Sequence, residues 1–212
     1  MKQFLTCLLL LSLILCGCTP TIPDAGAPVT DHNWDHCDGW SITRTDAGRE
    51  SATIDTDLHG AIWYKTELKP DTWTVSSEIH LLAAGGDSDC GRFMFRDVAG
   101  NPCLTVTVEY VGTKHVQLRA DAYTNTGDSG NINGWRNLFI SDGWCVVNPE
   151  NPLFLVVTRT GTDSFAVSLS QYDTQLVPQT SVTLEARYLD LAVQAGVGTY
   201  DSYIRFTGFA IQ

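Results

Sequence analysis

The chain has 212 residues, with 13 basic and 24 acidic side chains, a formal net charge of −11 and a 43% share of hydrophobic residues. This acidic balance argues against nucleic acid as a partner and against electrostatic adhesion to anionic lipid, because both carry negative charge. Neutral ligands or a bound cation are compatible with it, and the length suits one domain with a full-sized core.

The first segment, residues 1–17, predicts export through a lipoprotein signal peptide. Lys2 precedes an apolar run that ends at Leu15, and this run is shorter than the about 20 apolar residues that span a bilayer. The sequence Leu-Cys-Gly-Cys that ends this segment resembles the bacterial lipobox, whose last cysteine is acylated and becomes the mature N-terminus. The resemblance implies acylation, for example by palmitate, at Cys18, although Cys16 stands where Ala or Ser is usual. An ordinary signal peptide with nearby cysteines is the alternative.

The next segment, residues 18–37, predicts the lipidated cysteine followed by a flexible linker. It is rich in Pro, Ala and Thr without apolar periodicity, and such a segment extends by about 3 Å per residue. Residues 38–212 predict the folded domain. Removal of residues 1–17 takes away only the charge of Lys2 and leaves 12 basic and 24 acidic residues. We expect a bacterial cell-envelope protein, lipid-anchored to a membrane and extracytoplasmic.

Period-two alternation of apolar and polar residues dominates the remaining chain, and no helical stripe of any length is visible. About a dozen candidate strands are separated by turn residues, a spacing typical of antiparallel sandwiches. We therefore predict an all-β fold, a two-sheet antiparallel β-sandwich. The clearest one-sided sets are Trp73, Val75, Ile79 and Leu81; Leu104, Val106, Val108 and Tyr110; Val116, Leu118, Ala120 and Ala122; and Phe165, Val167 and Leu169.

The hairpin around "DCGRFMFRDVAGNP", residues 89–102, has a register that its core face decides. Phe93 shares the core face with Val106 only if paired residue numbers sum to 199, because a slip of one residue would turn every core side chain outward. This register predicts a turn at residues 98–101. The following hairpin, with a turn at residues 112–114, aligns its apolar residues when the paired numbers sum to 226.

The opposite face of these three strands predicts a polar surface with three rows of side chains. The rows are Arg92, Thr107 and Arg119; Met94, Thr105 and Asp121; and Arg96, Cys103 and Tyr123. The third row adjoins the long loop at residues 124–137, which is rich in Asn, Gly, Ser and Asp and longer than most connections.

This loop and the third row together predict a carbohydrate site. Neutral sugars are held by flat aromatic rings and by planar amide, carboxylate or guanidinium groups that satisfy their hydroxyls. The alternative is that the tryptophans cover the sandwich edges and the arginines pair with Asp97 or Asp121. The predicted ligand-binding residues are Arg96, Tyr123, Asn131, Asn133, Trp135 and Trp144.

Four cysteines remain after signal cleavage and lipidation, and an even number in an oxidising compartment allows two disulfides with three connectivities. They are Cys37, Cys90, Cys103 and Cys145. The hairpin register sets Cys90 opposite Glu109 and turns Cys103 outward. We therefore predict a Cys103–Cys145 bridge that pins the long loop, with Cys37 paired to Cys90; four reduced thiols are the alternative.

Two segments bear on metal binding. Asp87 and Asp89 in "GGDSDCG" could offer carboxylates to a structural Ca²⁺, which takes oxygen ligands from acidic loops, and a solvated turn is the alternative. The segment "DHNWDHCD" clusters His32, His36 and Cys37 without matched ligand spacing, and no CxxC pair indicates zinc.

Two hairpins and the C-terminal segment carry a family resemblance. "GRFMFRDVAGN", "LFLVVTRTGTDSFAVSLS" and "VGTYDSYIRFTGFAIQ" together resemble the concanavalin A-like lectin and glucanase superfamily, closest to laminin-G-like jelly-roll modules or those appended to bacterial glycoside hydrolases. The resemblance covers residues 38–212. It implies a jelly roll that binds carbohydrate on a sheet or at loop edges, often with structural calcium, and hydrolysis in some branches.

The hydrolytic branch requires carboxylates that this sequence lacks. Laminarinase-like members carry Glu-x-Asp-x-x-Glu on one strand, with the nucleophile and acid about 5 Å apart. The nearest string begins at Glu78 and has His80 and Ala83 where the other carboxylates would be. Glu109 and Asp121 share the polar face but lie on different rows. We predict a lectin-like module for a poly- or oligosaccharide, without a catalytic constellation; a glycan-active hydrolase or lyase and a protein-interaction lipoprotein are the alternatives.

Overall fold

The computed structural model describes residues 27–28, 30–35, 39–54, 60–84, 90–124, 134–200 and 202–212. These residues form strands almost throughout, as the period-two alternation predicts, together with one helix of four residues, α1 (Ala186–Leu189), which is too short to produce an apolar stripe in the sequence. Among the described residues, no helix is both long and apolar enough to cross a membrane.

The strands follow the candidate segments closely. They are β1 (Ala27–Pro28), β2 (Trp40–Arg44), β3 (Glu50–Ile54), β4 (Gly60–Glu67), β5 (Thr74–Ala84), β6 (Cys90–Arg96), β7 (Pro102–Val111), β8 (His115–Tyr123), β9 (Trp135–Ile140), β10 (Cys145–Val146), β11 (Leu153–Gly161), β12 (Ser164–Gln171), β13 (Thr174–Thr183), β14 (Gln194–Tyr200) and β15 (Ser202–Ile211).

These strands make two antiparallel sheets, so the predicted fold class is confirmed. The first sheet has the order β1-β2-β3-β15-β5-β11-β12-β13. The second has the order β10-β8-β7-β6-β14-β4, and β9 also pairs with β8. Several neighbours, such as β6 and β14, are far apart in sequence, which is characteristic of a sandwich with crossover connections.

The core lies between the two sheets and contains the residues that alternation turns inward. Phe93 and Phe95 are fully buried, and the Phe95 ring lies 5.0 Å from the ring of Trp73 in the segment leading into the opposite sheet. Phe93 contacts Phe209 of β15 edge to face, with 5.5 Å between ring centroids. Each fully buried side chain of this size contributes about 1.5–3 kcal/mol, so this interdigitation holds the sheets together.

The folded domain begins earlier than the predicted boundary at residue 38. β1 pairs with β2, and Trp34 is only 1% exposed. The Trp34 ring packs edge to face on Tyr64 at 5.1 Å. Part of the predicted linker at residues 18–37 therefore belongs to the sandwich, because a tryptophan of this size is most stable when its apolar surface is buried.

The register of the β6–β7–β8 meander confirms both predicted sums, with one local exception. Pairs from Cys90–Glu109 to Phe95–Leu104 sum to 199, and β7 and β8 pair throughout with the sum 226. At the end of β6 the register shifts, and Arg96 pairs with Pro102 instead of Cys103. This β-bulge adds one residue to β7, and its effect is to turn the side chain of Cys103 toward the core.

Candidate functional site

The outer face of the second sheet carries the polar rows that the register predicts. Arg92, Thr107 and Arg119 are mutually paired across the three strands, and so are Met94, Thr105 and Asp121. We call the surface formed by these six residues the polar face. Strand β14 continues the first row with Gly198 and the second with Gly196.

Strand β4 adds an aromatic side chain to this face. Trp63 lies beside Gly196 at the end of the row that contains Met94, and its indole is half-buried. A Cβ atom at Gly196 would lie 2.9 Å from Trp63 Cε3. The glycine therefore lets the indole approach the backbone of β14, where a larger side chain would push it away.

Arg96 is held at the same edge of the face by three partners. Its guanidinium carbon lies 4.5 Å from the centre of the Trp63 ring, its Nε donates to Gln194 Oε1 at 2.7 Å, and an Nη donates to Asp35 Oδ2 at 3.0 Å. Gln194 in turn donates to the Tyr64 carbonyl at 2.6 Å. Ion pairing and cation–π contact thus orient Arg96 toward β4.

An open cleft of about 420 Å³ adjoins this cluster. It lies beside the turn between β6 and β7 and is lined by Arg96, Gln194, Glu67 and the turn residues 97–100. Asp97 shapes that turn by accepting hydrogen bonds from the backbone N–H groups of Ala99 and Asn101, and these bonds lower the pKa of Asp97. The cleft extends the polar face past the end of β6.

A second ion cluster occupies the β8 side of the face. Arg119 donates to both carboxylate oxygens of Asp121, at 2.7 and 2.9 Å, and lies 3.6 Å from Glu109. The hydrogen bond to Asp121 raises the pKa of Arg119. Asn137 of β9 also donates to Asp121, at 3.2 Å. One guanidinium therefore engages both Asp121 of the polar face and the neighbouring Glu109.

The centre of the face contrasts with its engaged flanks. Within the described chain, Arg92 makes one side-chain hydrogen bond, from an Nη to the Thr199 carbonyl at 3.3 Å, and its buried Nε has no partner. The hydroxyls of Thr105 and Thr107 have no hydrogen-bond partner among the described residues either. A buried polar group without a partner, such as the Arg92 Nε, costs about 1–3 kcal/mol, and such a group in a native fold commonly marks a site for water or a ligand.

Two of the predicted ligand-binding residues are brought together. Tyr123 and Trp135 form an edge-to-face pair with 5.6 Å between ring centroids. Gly134, at φ +86°, makes this packing feasible, because a Cβ atom there would lie 2.5 Å from Tyr123 Cε2. Asn131 and Asn133 of the same loop lie outside the described residues, so their role stays a prediction.

The other two predicted residues lie elsewhere. Arg96 does not join Tyr123 in a row, because the bulge at Cys103 breaks that row and the Arg96 guanidinium turns toward Trp63. Its strand, β6, is separated from β8 by two strand spacings, or about 10 Å. Trp144 is 45% exposed and precedes β10, which pairs with Val116 at the opposite end of β8 from Tyr123. Seven residues of strand are about 23 Å, so Trp144 lies far from this pair.

The predicted Cys103–Cys145 bridge is wrong. Cys103 is buried and its thiol donates to the Phe95 carbonyl, while the Cys145 thiol donates to the Leu176 carbonyl, both at 3.4 Å. Neither is in a disulfide. Cys145 pairs with Val116, seven residues of β8 away from the position opposite Cys103, or about 23 Å, whereas a disulfide needs Cα atoms within about 7 Å.

The remaining site predictions fall on residues that the structure does not describe. Cys18, the proposed partner Cys37 of Cys90, and the calcium candidates Asp87 and Asp89 all lie outside the described ranges. Within those ranges, no group of three or more His, Cys, Asp or Glu side chains is arranged to hold a metal ion.

Comparison with solved structures gives the fold a known context. The chain matches the carbohydrate-binding module CBM66 from Bacillus subtilis with a TM-score of 0.53 and 15% identity, over 85% of this chain and 95% of that one. It matches lectin II from Ulex europaeus with a TM-score of 0.53 and 12% identity, over 87% and 95% of the two chains. The chain therefore shares the sandwich fold of this carbohydrate-binding module and this lectin.

A third match shows the same fold inside a larger protein. The chain matches xylan β-1,4-xylosidase from Bacillus halodurans C-125 with a TM-score of 0.55 and 11% identity, over 89% of this chain and 38% of the enzyme. No protein-family model matches the sequence, and no curated protein matches it. At these identities the structural likeness establishes the jelly-roll sandwich alone.

The sequence reasoning overlooked the aromatic and glycine residues at the edge of the face. In "GAIWYKTE" the buried Ile62 alternates with Trp63, which marks Trp63 as facing outward. In "QAGVGTY" two glycines recur every second residue around Val197, so they share the face opposite this core residue. Each pattern was visible, but nothing local indicated that β14 lies between β6 and β4.

Proposed function

We propose that this chain is a carbohydrate-binding protein whose glycan lies across the polar face. The observation that carries the proposal is a set of polar groups beside an aromatic ring on one sheet. The Arg92 Nε has no partner in the described chain, the Thr105 and Thr107 hydroxyls lie in the neighbouring strand, and the half-buried indole of Trp63 lies two strands away on β4. An apolar ring beside a few convergent polar groups is the usual composition of a small-ligand site.

The dimensions of the face suit an extended glycan better than a single small sugar. Trp63 lies on β4, whereas the Tyr123–Trp135 pair lies on β8 and β9. Four strand spacings, or about 19 Å, separate β4 from β8. The glycines of β14 leave the surface low between Met94 and Trp63. Aromatic contacts would therefore hold both ends of an oligosaccharide while hydroxyl and guanidinium groups bind its middle.

The fold adds support by analogy. A carbohydrate-binding module and a lectin share this architecture, and fold analogy raises the prior for a saccharide ligand without supplying the residues that bind it. The residues come from the polar face itself. Binding of a protein partner by the same fold is the competing hypothesis.

A glycan array tests the proposal directly. The full-length chain should be purified in a detergent without a sugar headgroup, so that the detergent does not compete, and probed against poly- and oligosaccharides. Binding of at least one glycan, weakened by Thr107→Val and by Trp63→Ala, is the expected result. Absence of binding to every glycan would refute the proposal, and release of shorter sugars would identify a hydrolase or lyase instead.

We further propose that the chain is a lipoprotein anchored at Cys18 on the extracytoplasmic side of a bacterial membrane. The support is the lipobox-like "LCGC" that ends the apolar start segment. Several acyl chains on one cysteine give lasting attachment, because each buried methylene contributes about 0.8 kcal/mol. In cells fed an alkyne fatty acid, the wild-type chain should be labelled and should be found with the membranes. The Cys18→Ser variant should carry no label and should not be found with the membranes. The control Cys16→Ser, which restores the usual residue, should behave as the wild type does. Labelling of Cys18→Ser would contradict this anchor.

A further inference from the structure

Arg92 differs from six other arginines of the described chain in its electrostatic surroundings. Six arginines have a carboxylate oxygen at 2.6–3.0 Å: Arg44, Arg49, Arg96, Arg119, Arg159 and Arg187. Arg92 has no carboxylate within ion-pair distance among the described residues, although its side chain is partly buried. Its Nη contact to the Thr199 carbonyl is long, at 3.3 Å, and its Nε has no acceptor.

This guanidinium, which no carboxylate of the described residues compensates, is at the centre of the polar face. Arg92 is flanked across β7 by Thr107 and across β14 by Gly198, which has no side chain. A Cβ atom at Gly198 would meet Met94 Sδ at 2.6 Å and the Arg92 Cγ at 3.5 Å. The Met94 sulfur therefore occupies the place of a side chain at Gly198, beside the aliphatic part of Arg92, and the Arg92 side chain itself stays partly exposed on the face.

A partly desolvated guanidinium without a counter-ion favours an anionic ligand group. A planar carboxylate accepts two parallel hydrogen bonds from Arg, and such charge-assisted bonds are roughly twice as strong as neutral ones. The nearby carboxylates Asp121 and Glu109 cannot serve, since Arg119 engages both. A neutral hydroxyl would accept one hydrogen bond and would leave the charge uncompensated.

We infer that the glycan bound on the polar face is an acidic one, and that Arg92 binds the carboxylate of a sugar residue at the centre of the face. This inference rests on the proposed carbohydrate-binding function and specifies its ligand class. The flanking Thr107 and Thr105 hydroxyls are placed to bind ring hydroxyls of the same sugar. The negative net charge of the chain does not prevent this, because at about 0.1 M salt charges more than about 10 Å away are largely screened.

The first arm of the test uses the wild-type protein and pairs of probes. The full-length chain is titrated with oligogalacturonate, oligomannuronate and oligosialic acid, each beside its carboxyl-reduced counterpart, and with neutral xylan, glucan and fructan oligosaccharides. We expect one acidic probe to bind at least tenfold more tightly than its reduced form, which corresponds to about 1.4 kcal/mol. The three acidic probes distinguish a backbone uronate from a sialic acid.

The second arm uses charge variants of Arg92 with a matched control. Arg92→Gln should bind the acidic and reduced probes with affinities within about twofold of each other, and Arg92→Lys should keep part of the preference for the acid. The control is Arg136→Gln, which removes the same charge from an exposed arginine of β9 whose pairing partner, Ala122, faces the core. This control should bind as the wild type does. Thermal unfolding of each variant checks that it is folded. The comparison of acidic with carboxyl-reduced probes on the wild-type protein tests the preference for an acid without any substitution.

The outcomes separate this inference from the function on which it rests. If neutral or reduced glycans bind as tightly as acidic ones, or if Arg92→Gln keeps the full preference for the acid, the acidic-ligand inference is overturned while carbohydrate binding stands. If no probe binds, the carbohydrate-binding function fails and the inference fails with it. Binding of an acidic probe that disappears in 0.5 M salt equally for wild type and Arg92→Gln would indicate nonspecific polyelectrolyte attraction and would also overturn the inference.

Discussion

The guanidinium of Arg96 lies over the indole of Trp63, with 4.5 Å between the guanidinium carbon and the ring centroid. The two residues belong to β6 and β4, which are not neighbours, and β14 lies between them. Gly196 of β14 stands directly beside Trp63 and offers no side chain to separate the pair. The contact therefore depends on a glycine in a third strand.

Trp63 should contribute more to glycan binding than to folding. Arg96 remains held by Asp35 and Gln194 when the indole is removed, so Trp63→Ala should change the free energy of unfolding by no more than about 1 kcal/mol. Its affinity for a bound glycan should fall at least tenfold, and Trp63→Phe should retain most of it. Isothermal titration measures this. The control is Trp144→Ala, which removes a more exposed ring near β10, five strand positions from Trp63. A greater loss of affinity in Trp144→Ala than in Trp63→Ala would contradict the site.

Gly196 and Gly198 should tolerate a methyl group to different degrees. A Cβ atom at Gly196 would lie 2.2 Å from the backbone carbonyl oxygen of Ile62, which cannot move without disturbing β4. At Gly198 the nearest atom is the flexible Met94 Sδ. We expect Gly196→Ala to destabilise by about 3 kcal/mol and Gly198→Ala by about 1 kcal/mol in urea unfolding. Equal losses would show that β4 and β14 are not packed as described.

Cys103 should resist alkylation in the native protein. Burial, with a smaller contribution from Asp97, raises the pKa of Cys103 to about 12. At pH 8 its thiolate fraction is then on the order of one in ten thousand, and the thiolate is the reactive form. Iodoacetamide labelling followed by peptide mass mapping should modify Cys145 well before Cys103, and both after unfolding. A peptide containing a Cys103–Cys145 disulfide would refute this assignment.

His80 should make the fold less stable in mild acid. Burial lowers the pKa of His80, an effect that Arg205 and Arg49 reinforce and that Glu78, 3.6 Å away, opposes. The unfolded chain, with a histidine pKa near 6.5, then binds more protons than the native state, so the free energy of unfolding falls as pH drops below about 6.5. Urea midpoints measured from pH 7 to 5 should decline less in His80→Gln than in wild type. Parallel curves would exclude this contribution.

Alternation along single strands made much of the sandwich predictable. Phe93 and Val106 had to face the core together, and that requirement alone set the register of β6 on β7. The same reasoning placed Thr107 beside Arg92 and Arg119. These relationships are local, because short turns join the three strands and leave few ways to align them.

The prediction of the third row was wrong because of a single residue, Cys103. The bulge that pairs Arg96 with Pro102 turns Cys103 inward, so both the predicted row and the predicted disulfide were wrong. A bulge adds one residue on one strand, and nothing in the alternation of "NPCLTV" signals it, since a cysteine is accepted on either face. The outward prediction for Cys103 followed from assuming an unbroken ladder.

By itself the sequence determined which side chains of each strand face the core, because the apolar residues recur with period two. A register shifted by one residue would expose these apolar side chains to water, and no other interaction in that register would offset the free energy lost. Only the tertiary structure decided that β14 inserts between β6 and β4, and so brought Trp63, Arg96 and Gln194 together from segments separated by 30 or more residues. Pairing between distant strands depends on how two whole sheets pack and how long connections close, and no local pattern encodes it. The same pairing placed Arg92 beside Gly198, which brings no carboxylate to it.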